Sequence, residues 1–211
     1  MKRLILILFS FALSAQAQIS SQVSLQDGDI IFHQSQSSQS LALREITQSA
    51  WTHTGVIVRH QNNWVVVEAA RGVEITPLES FINRGLGKKF IIKRLRPELR
   101  QQSQTQSQNR SQKLKTALMA YVGLKYDFWF EWSDTTIYCS ELVWKAFDNA
   151  FGIQLTTPER FKDFPLNGPY AQRLIQDRYV SQGRQLNLEE PVVSPVALLE
   201  SDLLIDVIRK D

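Results

Sequence analysis

Apolar residues in this 211-residue chain fall into two kinds of run. The first kind is short, nearly unbroken and rich in Val and Ile, which predicts buried strands. Asp27-Gly28-Asp29 is a turn leading into such a run, Ile30 to Phe32, with Asp29 placed to cap the turn. Residues 51–58 and 63–70 form the clearest hairpin, joined by Arg59, His60, Gln61 and Asn62. Residues 71–75, 89–95 and 203–208 predict further strands. The second kind recurs at helical spacing. Leu41, Leu43 and Ile46 mark a short surface helix, and Pro77 opens another through Phe81. Leu114, Ala117, Leu118, Tyr121 and Val122 form a stripe that Gly123 stops, and Leu142, Val143, Ala146, Phe147 and Ala150 form the next. Thr157-Pro158 and Gly168-Pro169 each place a proline where a helix begins, predicting two covering helices, and Ser194-Pro195 predicts a helical turn. Residues 100–112 are rich in Gln and Ser without an apolar residue, a surface excursion or a prolongation of the following helix. No repeat or second domain is visible, so residues 18–211 are read as one domain.

The first residues change the setting. Met1-Lys2-Arg3, the apolar run Leu4 to Leu13 and Ala15-Gln16-Ala17 have the form of a signal peptide, with cleavage expected after Ala17. No cysteine follows the run to carry a lipid, and no later segment is apolar enough for a membrane helix, which predicts a periplasmic or secreted protein without a transmembrane anchor. Loss of Lys2 and Arg3 lowers the basic count from 24 to 22 against 21 acidic residues, leaving a charge of +1. A near-neutral chain without clustered basic residues argues against a nucleic-acid partner.

The single cysteine, Cys139, falls where the Leu142–Ala150 stripe begins. A helix N-terminus favours a thiolate, whereas a lone cysteine on an apolar face is ordinarily an inert small hydrophobe. The remaining chemistry decides between them. Of the three histidines, His33 ends a strand beside a polar run and His60 lies in the hairpin connection. His53 opens a Val-rich strand and precedes Gly55, which leaves space beside it. Glu68 is the one ionisable residue after Val65-Val66-Val67, where a carboxylate is costly unless paired. A connection centred between His60 and Gln61 sets His53 directly opposite Glu68 on one face. Together these residues offer a nucleophile, a base and an orienting carboxylate. Three dispersed histidines and one cysteine lack metal-ligand spacing, and no phosphate loop occurs, so neither metal nor cofactor is expected. The aromatic run 126–132 is either core packing or the wall of a substrate cleft, with Tyr126, Trp129, Trp132 and Tyr138 as the cleft candidates.

Four matched stretches carry a resemblance: Leu25 to Phe32, Trp51 to Ile57, Val67-Glu68-Ala69, and Tyr126-Asp127 with Tyr138-Cys139-Ser140-Glu141-Leu142. Together they resemble the YiiX/YebB-like (YaeF-type) branch of the NlpC/P60 superfamily. The resemblance implies an α+β, circularly permuted papain-like fold, an antiparallel sheet packed against the cysteine-bearing helix. It also implies a cysteine hydrolase with Cys139 as nucleophile, His53 as base and Glu68 as third member. An amidase or peptidase acting on a cell-envelope peptide is the leading expectation. The alternatives are a lipid acyl hydrolase or acyltransferase at the same site, and a periplasmic peptide- or lipid-binding module without chemistry.

Overall fold

The computed structural model describes residues 24–100 and 104–211, so the expected signal peptide, residues 1–17, lies outside the described residues. A six-stranded antiparallel sheet, in the order β10-β5-β1-β2-β3-β4, forms the centre. Its strands are β1 (Asp29–His33), β2 (His53–His60), β3 (Asn63–Ala69), β4 (Val73–Pro77), β5 (Phe90–Leu95) and β10 (Leu204–Lys210). The remaining strands are two-residue ladders: β6 (Lys125–Tyr126) with β7 (Thr136–Ile137), and β8 (Glu159–Arg160) with β9 (Pro191–Val192). The helices are α1 (Ser38–Thr47), α2 (Leu78–Arg84), α3 (Pro97–Arg100), α4 (Gln104–Met119), α5 (Cys139–Phe151), α6 (Pro169–Arg178) and α7 (Pro195–Leu199).

The unbroken apolar runs are explained by helices on both faces of the sheet. Ile30, Phe32, Val56, Val58, Val65 and Val67 point toward α4 and α5, meeting Leu118, Leu142, Val143 and Phe147. Their neighbours Ile31, Ile57, Val66 and Ile92 point the other way, against Leu78, Phe81 and Ile82 of α2. Consequently α5, the cysteine helix, lies on β2 and β3 and carries its first residue to the end of the sheet where β2 begins.

Three sequence expectations are corrected here. The hairpin turns between Gln61 and Asn62, both at positive φ, so His60 faces Asn63 and Val56 faces Val67. A two-residue turn with both φ values positive matches the twist of the flanking strands, and Gln61 and Asn62 are the adjacent pair at positive φ, not the His60–Gln61 pair expected from the sequence. His53 is therefore not directly opposite Glu68 but two positions away along the strand. A two-residue shift preserves the face, so the pair still meets. Thr157-Pro158 opens no helix, because Glu159 and Arg160 pair with Pro191 and Val192 and Phe161 turns into the protein. Finally, the Leu114 stripe ends as helix at Met119, before Val122, whose side chain is exposed. Residues 104–112 do prolong that helix.

Candidate active site

Position 55 creates the geometry. A Cβ at Gly55 would lie 2.5 Å from Val66 Cγ1, 2.9 Å from the Val67 carbonyl oxygen and 3.1 Å from Glu68 Cβ. The space expected beside His53 is thus already filled from β3. The missing side chain lets β3 approach closely enough for Glu68 to reach diagonally to His53. Glu68 Oε2 stands 2.5 Å from His53 Nε2, with Glu68 fully buried and His53 nearly so. Because Nε2 faces the carboxylate, Nδ1 is the nitrogen left for Cys139.

Cys139 is the first residue of α5, with Tyr138 as N-cap and the Tyr138 backbone N–H donating to Glu141 Oε2 at 3.3 Å. The thiol is buried. Burial opposes its ionisation, but the charge of His53, a hydrogen bond with that ring, the Thr54 backbone and Ser140 together lower its pKa. Burial likewise opposes a charged His53. The charge and hydrogen bond of Cys139, followed by those of Glu68, outweigh it and raise His53 to about 9. Glu68 would be raised by burial, yet its hydrogen bond to His53, the His53 charge and Arg84 hold it at about 2. These opposed shifts, Cys139 down and His53 up, favour the charged thiolate–imidazolium form of the pair over the neutral one, with the Glu68 carboxylate behind the ring.

Two residues around this set escaped the sequence reading. His33, set aside as a strand end, is buried and faces His53 across β1 and β2, with ring centroids 5.0 Å apart. It stacks on Phe81 at 4.4 Å, and burial, then the charges of His53 and Arg84, push it down to about 2, so it is neutral. The strand alternation Ile31/His33 was the available signal. Arg84, in the last turn of α2, donates to Glu68 Oε2 at 2.5 Å and keeps a partly exposed side chain. Nothing in the linear pattern pointed to it.

Two arms of a cleft meet at Gln39. One arm is apolar and narrow, about 60 Å³, and opens from Cys139 between α1 and α6, past Ile46, Phe130, Phe164 and Leu174. Tyr138 lines it, with its hydroxyl accepting from the Val193 N–H at 3.0 Å. The other arm is polar, opens from His53 and includes Thr52, Arg71, Tyr126 and Arg178. Tyr126 accepts from Gln39 Nε2 at 2.9 Å; burial and then the Cys139 charge raise its pKa. Trp129 and Trp132, the other cleft candidates, line neither arm. Trp129 donates from Nε1 to the Arg178 carbonyl, and Trp132 packs edge-on against Trp144. Their neighbours Phe128 and Phe130 take those places instead.

Comparison with known proteins gives one consistent result. The family described as "Permuted papain-like amidase enzyme, YaeF/YiiX, C92 family" matches residues 24–208. The "Uncharacterized protein YiiX" of Escherichia coli (strain K12) is 38% identical over 185 residues, 88% of this chain and 87% of that one. A solved structure titled "Crystal structure of metalloprotein yiiX from Escherichia coli O157:H7" superposes with a TM-score of 0.79 at 38% identity, covering 88% of this chain and 97% of the other. With its sheet, its cysteine helix and the histidine and carboxylate that precede the cysteine, the chain belongs to the permuted papain-like amidase family, YaeF/YiiX, C92.

Proposed function

We propose that the protein is an exported cysteine amidase acting through Cys139, His53 and Glu68 on an amide of the cell envelope. The observation that carries this reading is the convergence of Cys139 at a helix N-terminus with a buried His53–Glu68 pair. The Cys139 thiolate attacks the carbonyl carbon, and its backbone N–H, directed outward at the start of α5, stabilises the oxyanion. Collapse of the tetrahedral species breaks the C–N bond as His53 gives its proton to the leaving amine. His53, now neutral, takes a proton from water, and the hydroxide releases the acyl group from sulfur. Glu68 holds the ring orientation throughout. The described residues contain no helix long and apolar enough to cross a membrane.

The Escherichia coli structure is titled a metalloprotein. Here no group of three or more His, Cys, Asp or Glu converges as a ligand set among the described residues, and Glu68 and His53 are engaged with each other. These donors do not fit a metal.

A second reading of the substrate is favoured by the apolar arm beside Cys139. The acyl half of the substrate stays on sulfur after the first step, so its side chain occupies the space next to Cys139, and that space is slender and apolar. This suits a fatty acyl group, whereas an envelope peptide would place an apolar side chain there.

Incubation of the protein with envelope extracts followed by mass spectrometry tests both readings. The expected result is an acyl adduct on Cys139, whose mass separates peptide from fatty acyl. Turnover of the identified substrate falls by at least about 10⁴-fold in Cys139→Ala. Undiminished turnover in that variant overturns the amidase assignment. A pH titration of Cys139 alkylation separates the enzyme from a binding module, for which the thiol would show no reactivity at neutral or lower pH.

A further inference from the structure

Arg178 is a guanidinium without a carboxylate partner, on the wall of the polar arm. Its Nη1 donates to the Phe128 carbonyl at 2.9 Å and its Nη2 to Gln39 Oε1 at 2.5 Å, both neutral acceptors. The ring faces of Phe128 and Phe130 lie 5.4 and 5.2 Å from it. All 21 Asp and Glu residues of the chain fall within the described residues, and none of them forms an ion pair with Arg178. Asp127, whose charge reaches it, accepts instead from the backbone N–H groups of Trp129 and Glu131. A partly desolvated cation with no counter-ion is costly unless a ligand supplies one.

The rest of the arm has the same sign. Arg71 lines it and forms no ion pair among the described residues, and Arg84 lines it while binding Glu68. The opposing charges are Glu74, exposed on the same wall, and Glu68, which is spent on His53 and Arg84. In an amide held with its acyl half beside Cys139, the leaving amine must lie beside the proton donor, His53, and therefore in this arm.

We infer that the polar arm recognises an anionic group, a carboxylate or a phosphate, on the amine half of the scissile amide, with Arg178 as its principal contact and Arg71 as a second. The inference rests on the amidase reading for the direction in which the substrate lies, but binding of the anion does not depend on turnover. The substrate class is then an amide with an apolar acyl group and an acidic amine. Arg178 selects it by a charge-assisted pair in a partly dehydrated site, where such pairs are strongest.

The test uses Cys139→Ala, which binds without reacting, titrated calorimetrically with N-octanoylglycine, N-octanoyl-O-phosphoethanolamine and neutral N-octanoylglycinamide. The expected result is binding of at least one anion about tenfold or more tighter than the neutral amide, with the tighter of the two naming the source. Adding Arg178→Gln abolishes the preference and Arg178→Lys restores part of it. Arg71→Gln, at an exposed position that leaves the fold intact, reduces it two- to threefold, and raised salt weakens it in the parent. Equal affinity for all three compounds, no binding of any, or a preference that survives both Arg178→Gln and Arg71→Gln overturns the inference. Anion preference in Cys139→Ala without hydrolysis by the wild-type protein would instead sink the amidase reading while leaving the anion site standing. Equal hydrolysis of charged and neutral amides would do the reverse.

Discussion

Strand β1 carries buried ionisable groups at both ends, and the two ends are finished differently. At its start Asp29 is fully buried. Its two oxygens meet Arg94 Nε and Nη2 at 2.6 and 2.7 Å, and Oδ2 also accepts from the Gln26 N–H at 2.9 Å. Arg94 donates onward to the Ser24 carbonyl. This is a closed clamp, tying the Asp27-Gly28 turn to β5, and its hydrogen bonds are spent on structure. At the far end His33 abuts His53, and Glu68 directs one oxygen at both His53 and Arg84. Glu68 Oε1 and His33 Nδ1 make no hydrogen bond among the described residues, and Cys139 adds an ionisable thiol. Equal burial therefore does not mean equal role. A saturated pair contributes fold, whereas a cluster with spare valence and a shifted thiol is what chemistry requires.

The contrast can be broken most directly at its structural end. Asp29→Ala leaves Arg94 half-buried and without its carboxylate, which should cost about 3 kcal/mol in urea unfolding while kcat/KM per folded molecule stays the same. A matching fall in kcat/KM of the folded fraction would erase the distinction. At the other end, Glu68→Gln keeps the shape and removes the charge. A loss of about a hundredfold in kcat/KM, or about 2.7 kcal/mol, is expected, with the alkylation limb of Cys139 moved to higher pH. An unmoved limb would mean that Glu68 does not sustain the imidazolium.

Gly55→Ala probes the close approach that joins β2 to Glu68. Its Cβ would collide with Val66 and with the Val67 backbone, so a cost of about 1–3 kcal/mol in stability is expected, accompanied by loss of activity as Glu68 is displaced. Full activity in the folded protein would show that Glu68 reaches His53 without that approach.

The smallest effect concerns protons. His33 is held at about 2 in the folded protein, so its contribution is complete above its unfolded pKa of 6.5 and declines as pH falls below it. Glu141 has the opposite sign. Burial raises its carboxyl to about 7 despite the pairing with Lys145, so the folded protein takes up a proton that the unfolded chain does not until near pH 4.5. Between pH 6.5 and 4.5 the two oppose each other, and their joint contribution is nearly flat. His33→Gln removes one side, so the variant should gain about 1.4 kcal/mol of stability per pH unit relative to wild type as the solution is acidified through that window. Parallel profiles for the two proteins, measured by denaturant titration at several pH values, would show that His33 takes a proton in the fold.

Much of this protein was legible from local rules. Val65 to Val67, Val56 to Val58 and Ile30 to Phe32 could be only buried strands, Asn62 could serve a left-handed turn, and the stripe from Leu142 fixed Cys139 at a helix start. These depend on periodicity and backbone preference, which a chain carries in its own order of residues. The alternation of side chains also kept His53 and Glu68 on one face although the turn lay later than expected, since a shift of two residues leaves the face unchanged. What the order of residues could not carry was contact between segments distant along the chain. Glu159 entered a ladder because Val192 was there to pair with it, overriding a proline signal for a helix. Arg84 met Glu68 through the docking of α2 on the sheet, His33 came against His53 through the pairing of β1 with β2, and Phe128 and Phe130 rather than Trp129 and Trp132 reached the cleft, where α6 packs on α1. Such contacts are set by where whole elements dock, and only the tertiary structure decides that.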